Sequence, residues 1–182
     1  MSGGTKVTPL VLKSATPTVS GTVKVGSTLT AKTGSWSSKT TFAYQWYASG
    51  KAISKATKST YKIPSSLAGK TISVKVTGSL SGYASAAKTS KATAKVLKSA
   101  TPAISGTVKA GRTVTAKPGA WTSATAFSYQ WYANGKAIKG ATKSTYKIPA
   151  SYAGRKLTVK VTGKKSGYAS VAVTSGSRTI AR

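Results

Sequence analysis

The chain has 182 residues, 29 of them Lys or Arg, and not one Asp, Glu, His or Cys, so its formal net charge is +29. A chain of this length and ordinary composition would carry roughly 20 carboxylates. Proton transfer near neutral pH draws on His, Asp and Glu, and low-pKa nucleophiles on Cys; Ca²⁺ and Mg²⁺ sites need carboxylates, and Zn²⁺ sites need Cys, His or carboxylate. Those active sites, metal centres and disulfides are excluded, and the sequence implies no cofactor, metal or small-molecule substrate.

In chain order, Met1-Ser2-Gly3-Gly4 reads as a start and short linker, and residues 1–12 read as the tail of a preceding repeat. Val19 to Val25 alternates around Gly21, and Thr28 to Lys32 is a short Thr-rich strand. Phe42, Tyr44 and Trp46 fall on one face at period two, with Gln45 and Tyr47 on the other,. Ser49-Gly50 is a two-residue hairpin signal, as is Asn134-Gly135 further on,. Tyr61 and Ile63 end at Pro64. Ile72, Val74 and Val76 alternate with outward Ser73, Lys75 and Thr77, and an Ala/Thr/Ser/Lys-rich strand follows Gly82-Tyr83.

The pattern then repeats. Trp36, Trp46, Pro64 and Tyr83 recur as Trp121, Trp131, Pro149 and Tyr168, always 85 positions on. From Lys13 to Ser90 the register against Lys98 to Ser175 holds without insertion, at about two-thirds identity,. The expected domains are 13–97 and 98–182, each large enough for its own core. Seven or so short strands per 85 residues, with turns every 8–12, predict an all-β fold of two tandem immunoglobulin-like β-sandwich domains. Trp46 and Trp131 are the expected core tryptophans.

Apparent catalytic motifs do not survive their context. Ser59-Thr60-Tyr61-Lys62 matches S-x-x-K and Lys32-Thr33-Gly34 matches K-T-G, but the former lies in a strand and the second copy carries Lys117-Pro118-Gly119,. Gly69-Lys70-Thr71 lacks the first glycine of a P-loop, because position 64 is Pro,.

The segments Tyr44-Gln45-Trp46-Tyr47-Ala48-Ser49-Gly50-Lys51-Ala52-Ile53, Ala56-Thr57-Lys58-Ser59-Thr60-Tyr61 and Ala68-Gly69-Lys70-Thr71-Ile72-Ser73-Val74-Lys75-Val76-Thr77-Gly78, with Gly34-Ser35-Trp36, carry a family likeness. The chain resembles the Ig-like repeats of secreted and surface proteins of actinobacteria, nearly end to end in both copies. The resemblance implies a non-catalytic accessory module, a spacer or wall-associating unit, secreted or at the cell surface. Members of that family usually keep some acidic residues. Their complete loss here fits either an extreme natural member or deliberate removal of carboxylates, without a dedicated biological role in the second case.

The charge is spread over loops and outward strand positions. Its densest groups are Arg155-Lys156 with Lys164-Lys165, and Lys136, Lys139, Lys143 and Lys147; Lys75 and Lys160 project from strands. Such a surface favours a soluble monomer and attracts anionic polymers: cell-wall polymers, nucleic acid without sequence preference, or an anionic lipid surface. Lys exceeds Arg 25 to 4, which suits diffuse attraction better than bidentate phosphate reading. Trp36 and Trp121, just after a turn, are candidates for stacking on a sugar, with packing at the end of the sandwich as the commoner role.

With no side-chain carboxylate or imidazole, almost nothing but the chain termini titrates between about pH 4 and pH 8, and the melting midpoint is expected to stay nearly flat across that range. Screening of lysine–lysine repulsion, over about 8 Å at physiological salt, is expected to raise that midpoint between low and moderate ionic strength. Thermal melts across both series check this; a midpoint that falls with added salt or collapses toward pH 4 contradicts it.

Overall fold

The computed structural model describes residues 8–182. It divides into two compact units, one comprising the chain up to Thr22 together with Gly26–Ala94, the other Val23–Val25 with Lys95–Arg182. Met1 to Gly4, read above as a start and linker, lie outside the described residues.

The first unit holds β1 (Leu10–Val11), β2 (Thr18–Ser20), β3 (Thr28–Lys32), β4 (Thr41–Ala48), β5 (Lys51–Ala52), β6 (Thr60–Lys62), β7 (Ile72–Ser79), β8 (Tyr83–Ala84) and β9 (Ala86–Thr89). The second holds β10 (Ala103–Ser105), β11 (Thr113–Lys117), β12 (Ala126–Ala133), β13 (Lys136–Ala137), β14 (Thr145–Lys147), β15 (Lys156–Lys164), β16 (Val171–Thr174) and β17 (Arg178–Thr179). In the first unit, β2-β3-β6 form one antiparallel sheet and β5-β4-β7-β9 another. The second repeats this as β10-β11-β14 and β13-β12-β15-β16, with β17 also on β15. Three strands facing four is the Ig-like sandwich that the alternating pattern predicts.

The core lies between the sheets. In the second unit Ile104, Val114, Trp131, Ile148, Leu157, Val159 and Val161 form one buried cluster drawn from both sheets. Leu29, Trp46, Ile63, Ile72, Val74 and Val76 are the buried counterparts in the first. Each core tryptophan spans the gap: Trp46 stacks on Tyr61 of β6 at 5.8 Å, and Trp131 on Tyr146 of β14 at 5.6 Å. No disulfide is needed there, because the stacked rings fill the space between sheets.

Where the last strand leaves its sheet, a serine takes over the ladder. Val74 N–H donates to Ser90 Oγ and Val159 N–H to Ser175 Oγ, both at 3.0 Å. These are the only buried polar residues among those described, and both are satisfied,.

One local expectation shifts. Val19 to Val25 is not one strand: pairing stops at Ser20, where Gly21 at φ +115° turns the chain away,. Leu10–Val11 pairs in parallel with Tyr83–Ala84, and Leu12 is buried, so this segment is built into the first unit's fold. Lys95 pairs likewise with Tyr168.

The hairpin signals form two-residue turns with both residues left-handed, Ser49 at φ 45° with Gly50 at 82°, and Asn134 at 47° with Gly135 at 76°,. The copies differ in quality. Asn tolerates this conformation better than Ser, and Asn134 Oδ1 also accepts the Lys156 N–H at 2.8 Å. Ser49→Asn is therefore expected to stabilise the full chain by about 0.5–1 kcal/mol, and Asn134→Ser to destabilise it comparably. Urea denaturation followed by tryptophan fluorescence reads both; a Ser49→Asn midpoint at or below the parent's contradicts the account.

Candidate anion-binding surface

Every cation in this protein lacks a side-chain anion, so its neighbours are carbonyls, rings and other cations. Three rings take up the role, in four contacts. Lys95 Nζ and Lys165 Nζ stand 5.8 and 5.3 Å from the Tyr168 ring centre, Lys160 Nζ 5.7 Å from that of Tyr132, and the Arg155 guanidinium 4.9 Å from that of Tyr152. Each contact contributes about 0.5–1 kcal/mol at an exposed site. Lys165 Nζ also donates to the Ser123 carbonyl at 2.6 Å.

The sequence-predicted cations are distributed as follows. Arg155 and Lys156 stand at one end of β15 and Lys164 and Lys165 at the other, about 26 Å apart at a strand rise of 3.3 Å per residue,. They do not converge. Lys75 and Lys160 sit mid-strand on the outward face, opposite Gln45 and Gln130 in register. Tyr132 is half-buried on that same outward face, beneath Lys160. Lys136 lies on the β12–β13 hairpin.

Lys139, Lys143 and Lys147 do converge. With Gly140, Ala141, Thr145 and Tyr146 they line an open cleft of about 300 Å³. The first unit has the same cleft, about 220 Å³, with Lys55, Lys58 and Lys62 around Tyr61. The duplication follows from the core. Trp131 donates its indole N–H to the Lys143 carbonyl at 2.9 Å and its backbone N–H to the Ala141 carbonyl at 3.0 Å. Trp46 does the same to Lys58 at 2.8 Å and Ala56 at 3.0 Å. Gln130 Nε2 donates to the Ile138 carbonyl and Gln45 Nε2 to that of Ile53, at 2.8 and 2.7 Å. The rim loop is thus tied to buried side chains, and its lysines project from a fixed backbone. Spacing along the sequence shows four neighbouring lysines after β12; the cleft and the tyrosine at its base are tertiary features.

Burial pushes the hydroxyls of Tyr61 and Tyr146 above the ordinary tyrosine value of 10.0, and Tyr152 adds to the effect on Tyr146 when ionised. Both remain neutral donors at physiological pH. The Tyr146 hydroxyl is buried with no hydrogen-bond partner among the described residues.

Trp36 and Trp121 close one end of each sandwich. Trp36 Nε1 donates to the Thr33 carbonyl and Trp121 Nε1 to that of Pro118, each at 2.9 Å, and each ring meets a phenylalanine edge-on at 5.3 Å. The ring also lies on a glycine of the long central strand: a Cβ at Gly78 would sit 2.5 Å from Trp36 Cζ3. Each half-buried ring is therefore already engaged on several sides.

No protein-family model and no curated protein matches the chain. Among solved structures it is similar to the Ca²⁺-stabilised adhesin that helps an Antarctic bacterium reach out and bind ice, at 14% identity over 93% of this chain and 49% of that one, with a TM-score of 0.37. It is also similar to the tandem Ig repeats of Dlar, at 10% identity over 95% of this chain and 97% of that one, with a TM-score of 0.28. The chain thus spans about half the length of the adhesin chain. The Ig-like fold class rests on the sheet topology of this chain.

A raised tyrosine value means the folded state holds its proton more tightly. The stability this contributes is fully present below the unfolded value near 10 and is lost as pH rises through the folded value. In a tyrosinate absorbance titration of the folded chain, Tyr61 and Tyr146 are expected to contribute a late phase above pH 10. Tyr61→Phe and Tyr146→Phe should each remove part of that late phase; a single phase near pH 10 in the folded parent contradicts the burial argument.

Proposed function

We propose that this chain is a non-catalytic, cationic Ig-like tandem module of an exported protein, acting as a spacer that associates with anionic cell-wall polymers. The observation that carries the reading is the pairing of two rigid sandwiches with a surface of lysines that nowhere meets a carboxylate side chain. A spacer needs folded units that tolerate a polyanionic, variable-pH exterior, and a fold without Asp, Glu or His is insensitive to pH over that range. The absent proton-transfer groups support the lack of an enzymatic role,. The resemblance of residues 44–53 and their copy to Ig-like repeats of secreted and surface proteins supports an extracellular setting.

Binding of the purified chain to isolated Gram-positive cell walls, measured by co-sedimentation, tests the proposal. Retention is expected at low salt and is expected to fall steeply with log[salt], since neutralised anions release counterions. Walls stripped of their anionic polymers should retain little. Equal retention on stripped and intact walls, or none on either at low salt, contradicts the reading.

A further inference from the structure

The clearest chemistry outside the diffuse surface charge is the pair of lysine clefts. Each is lined by three lysines, at equivalent positions of two units whose intervening residues differ: Ser54-Lys55 in one copy is Lys139-Gly140 in the other, yet three lysines line both clefts. Mutual repulsion of three ammoniums favours spreading them apart, so their convergence on one opening is a cost unless an anion sits there.

We propose that each cleft seats one phosphate group of an aliphatic phosphodiester polymer, held by Lys139, Lys143 and Lys147 in the second unit, and by Lys55, Lys58 and Lys62 in the first. This rests on the wall-polymer reading above and names where on the surface it acts. The size fits a single anionic repeat: clefts of about 220 and 300 Å³ hold a phosphate with its flanking carbons, at the small end of ligand pockets. Lysine supplies point charges suited to a phosphodiester with one formal charge, whereas no arginine fork lines either cleft,. Nucleic acid fits less well. The one aromatic in each cleft already has its core tryptophan stacked against it, and single-stranded nucleic acid is gripped through free aromatic platforms.

The test uses the full chain with a synthetic glycerol-phosphate oligomer, inorganic phosphate, and a single-stranded oligodeoxynucleotide of equal charge. One variant removes cleft cations (Lys58→Gln, Lys62→Gln, Lys143→Gln, Lys147→Gln). A second removes the same charge elsewhere (Lys13→Gln, Lys32→Gln, Lys88→Gln, Lys117→Gln). The cleft variant is expected to lose about tenfold or more in affinity for the glycerol-phosphate oligomer, the charge-matched control no more than about threefold. Amide shifts induced by inorganic phosphate should concentrate on residues 54–62 and 139–147. Lys143→Gln with Lys147→Gln alone should weaken the shifts at 139–147 and spare those at 54–62. Equal losses in the two lysine variants, or shifts spread evenly over the lysines, overturn the clefts while leaving diffuse wall binding standing. No binding of the parent to the oligomer at low salt overturns both. A larger cleft-dependent loss with the oligodeoxynucleotide than with the glycerol-phosphate oligomer overturns the aliphatic polymer in favour of nucleic acid.

Discussion

In each unit a buried tryptophan on the central strand does three things at once. The indole of Trp46 or Trp131 fills the space between sheets and stacks on the tyrosine of the facing sheet. Its ring N–H reaches across to the carbonyl of Lys58 or Lys143, and its backbone closes the loop through Ala56 or Ala141. Truncating so large a buried ring costs about 3–5 kcal/mol. Here it would also release the loop that carries the converging lysines. Core and surface chemistry share one side chain.

That dependence matters more than usual because the fold has no side-chain ion pairs to draw on. Surface salt bridges contribute only about 0–1 kcal/mol each, so their loss is tolerable. What replaces them is visible: serine hydroxyls complete the ladder at Ser90 and Ser175, indole N–H groups cap carbonyls, and tyrosine rings face ammoniums. The remaining cost is diffuse repulsion, which salt screens. Stability thus rests on apolar burial and backbone hydrogen bonds, and both are indifferent to pH across the neutral range.

Much of the fold was legible because period-two alternation in Ile72-Val74-Val76 and Phe42-Tyr44-Trp46 is a local signal of a half-buried strand, and Ser49-Gly50 and Asn134-Gly135 are local turn signals. The 85-residue repeat doubled each of these observations. Other features escaped. Val19 to Val25 looks continuous, but Gly21 adopts a backbone that ends the pairing, and a glycine alone does not announce which conformation it takes. The parallel pairing of Leu10–Val11 with Tyr83–Ala84 joins segments over seventy residues apart, with no turn between them to signal it. Tyr47 and Tyr132 lay on the face opposite the core tryptophans, and only neighbouring Lys160 on the adjacent strand fixes what covers the second of them.

Composition by itself determined the chemistry this protein lacks: without Asp, Glu, His or Cys there is no route to most proton transfer, to the common metal centres or to disulfides, whatever the fold,. Periodicity determined that it is an all-β repeat, because side-chain alternation is a property of the strand alone. Only the tertiary structure decided which cations meet. Arg155-Lys156 and Lys164-Lys165 lie on one strand yet stay at its two ends, while Lys139, Lys143 and Lys147 line one opening beside a loop pinned to Trp131. Convergence in space depends on which carbonyl a buried indole reaches, and that is set by the packing of two sheets against each other.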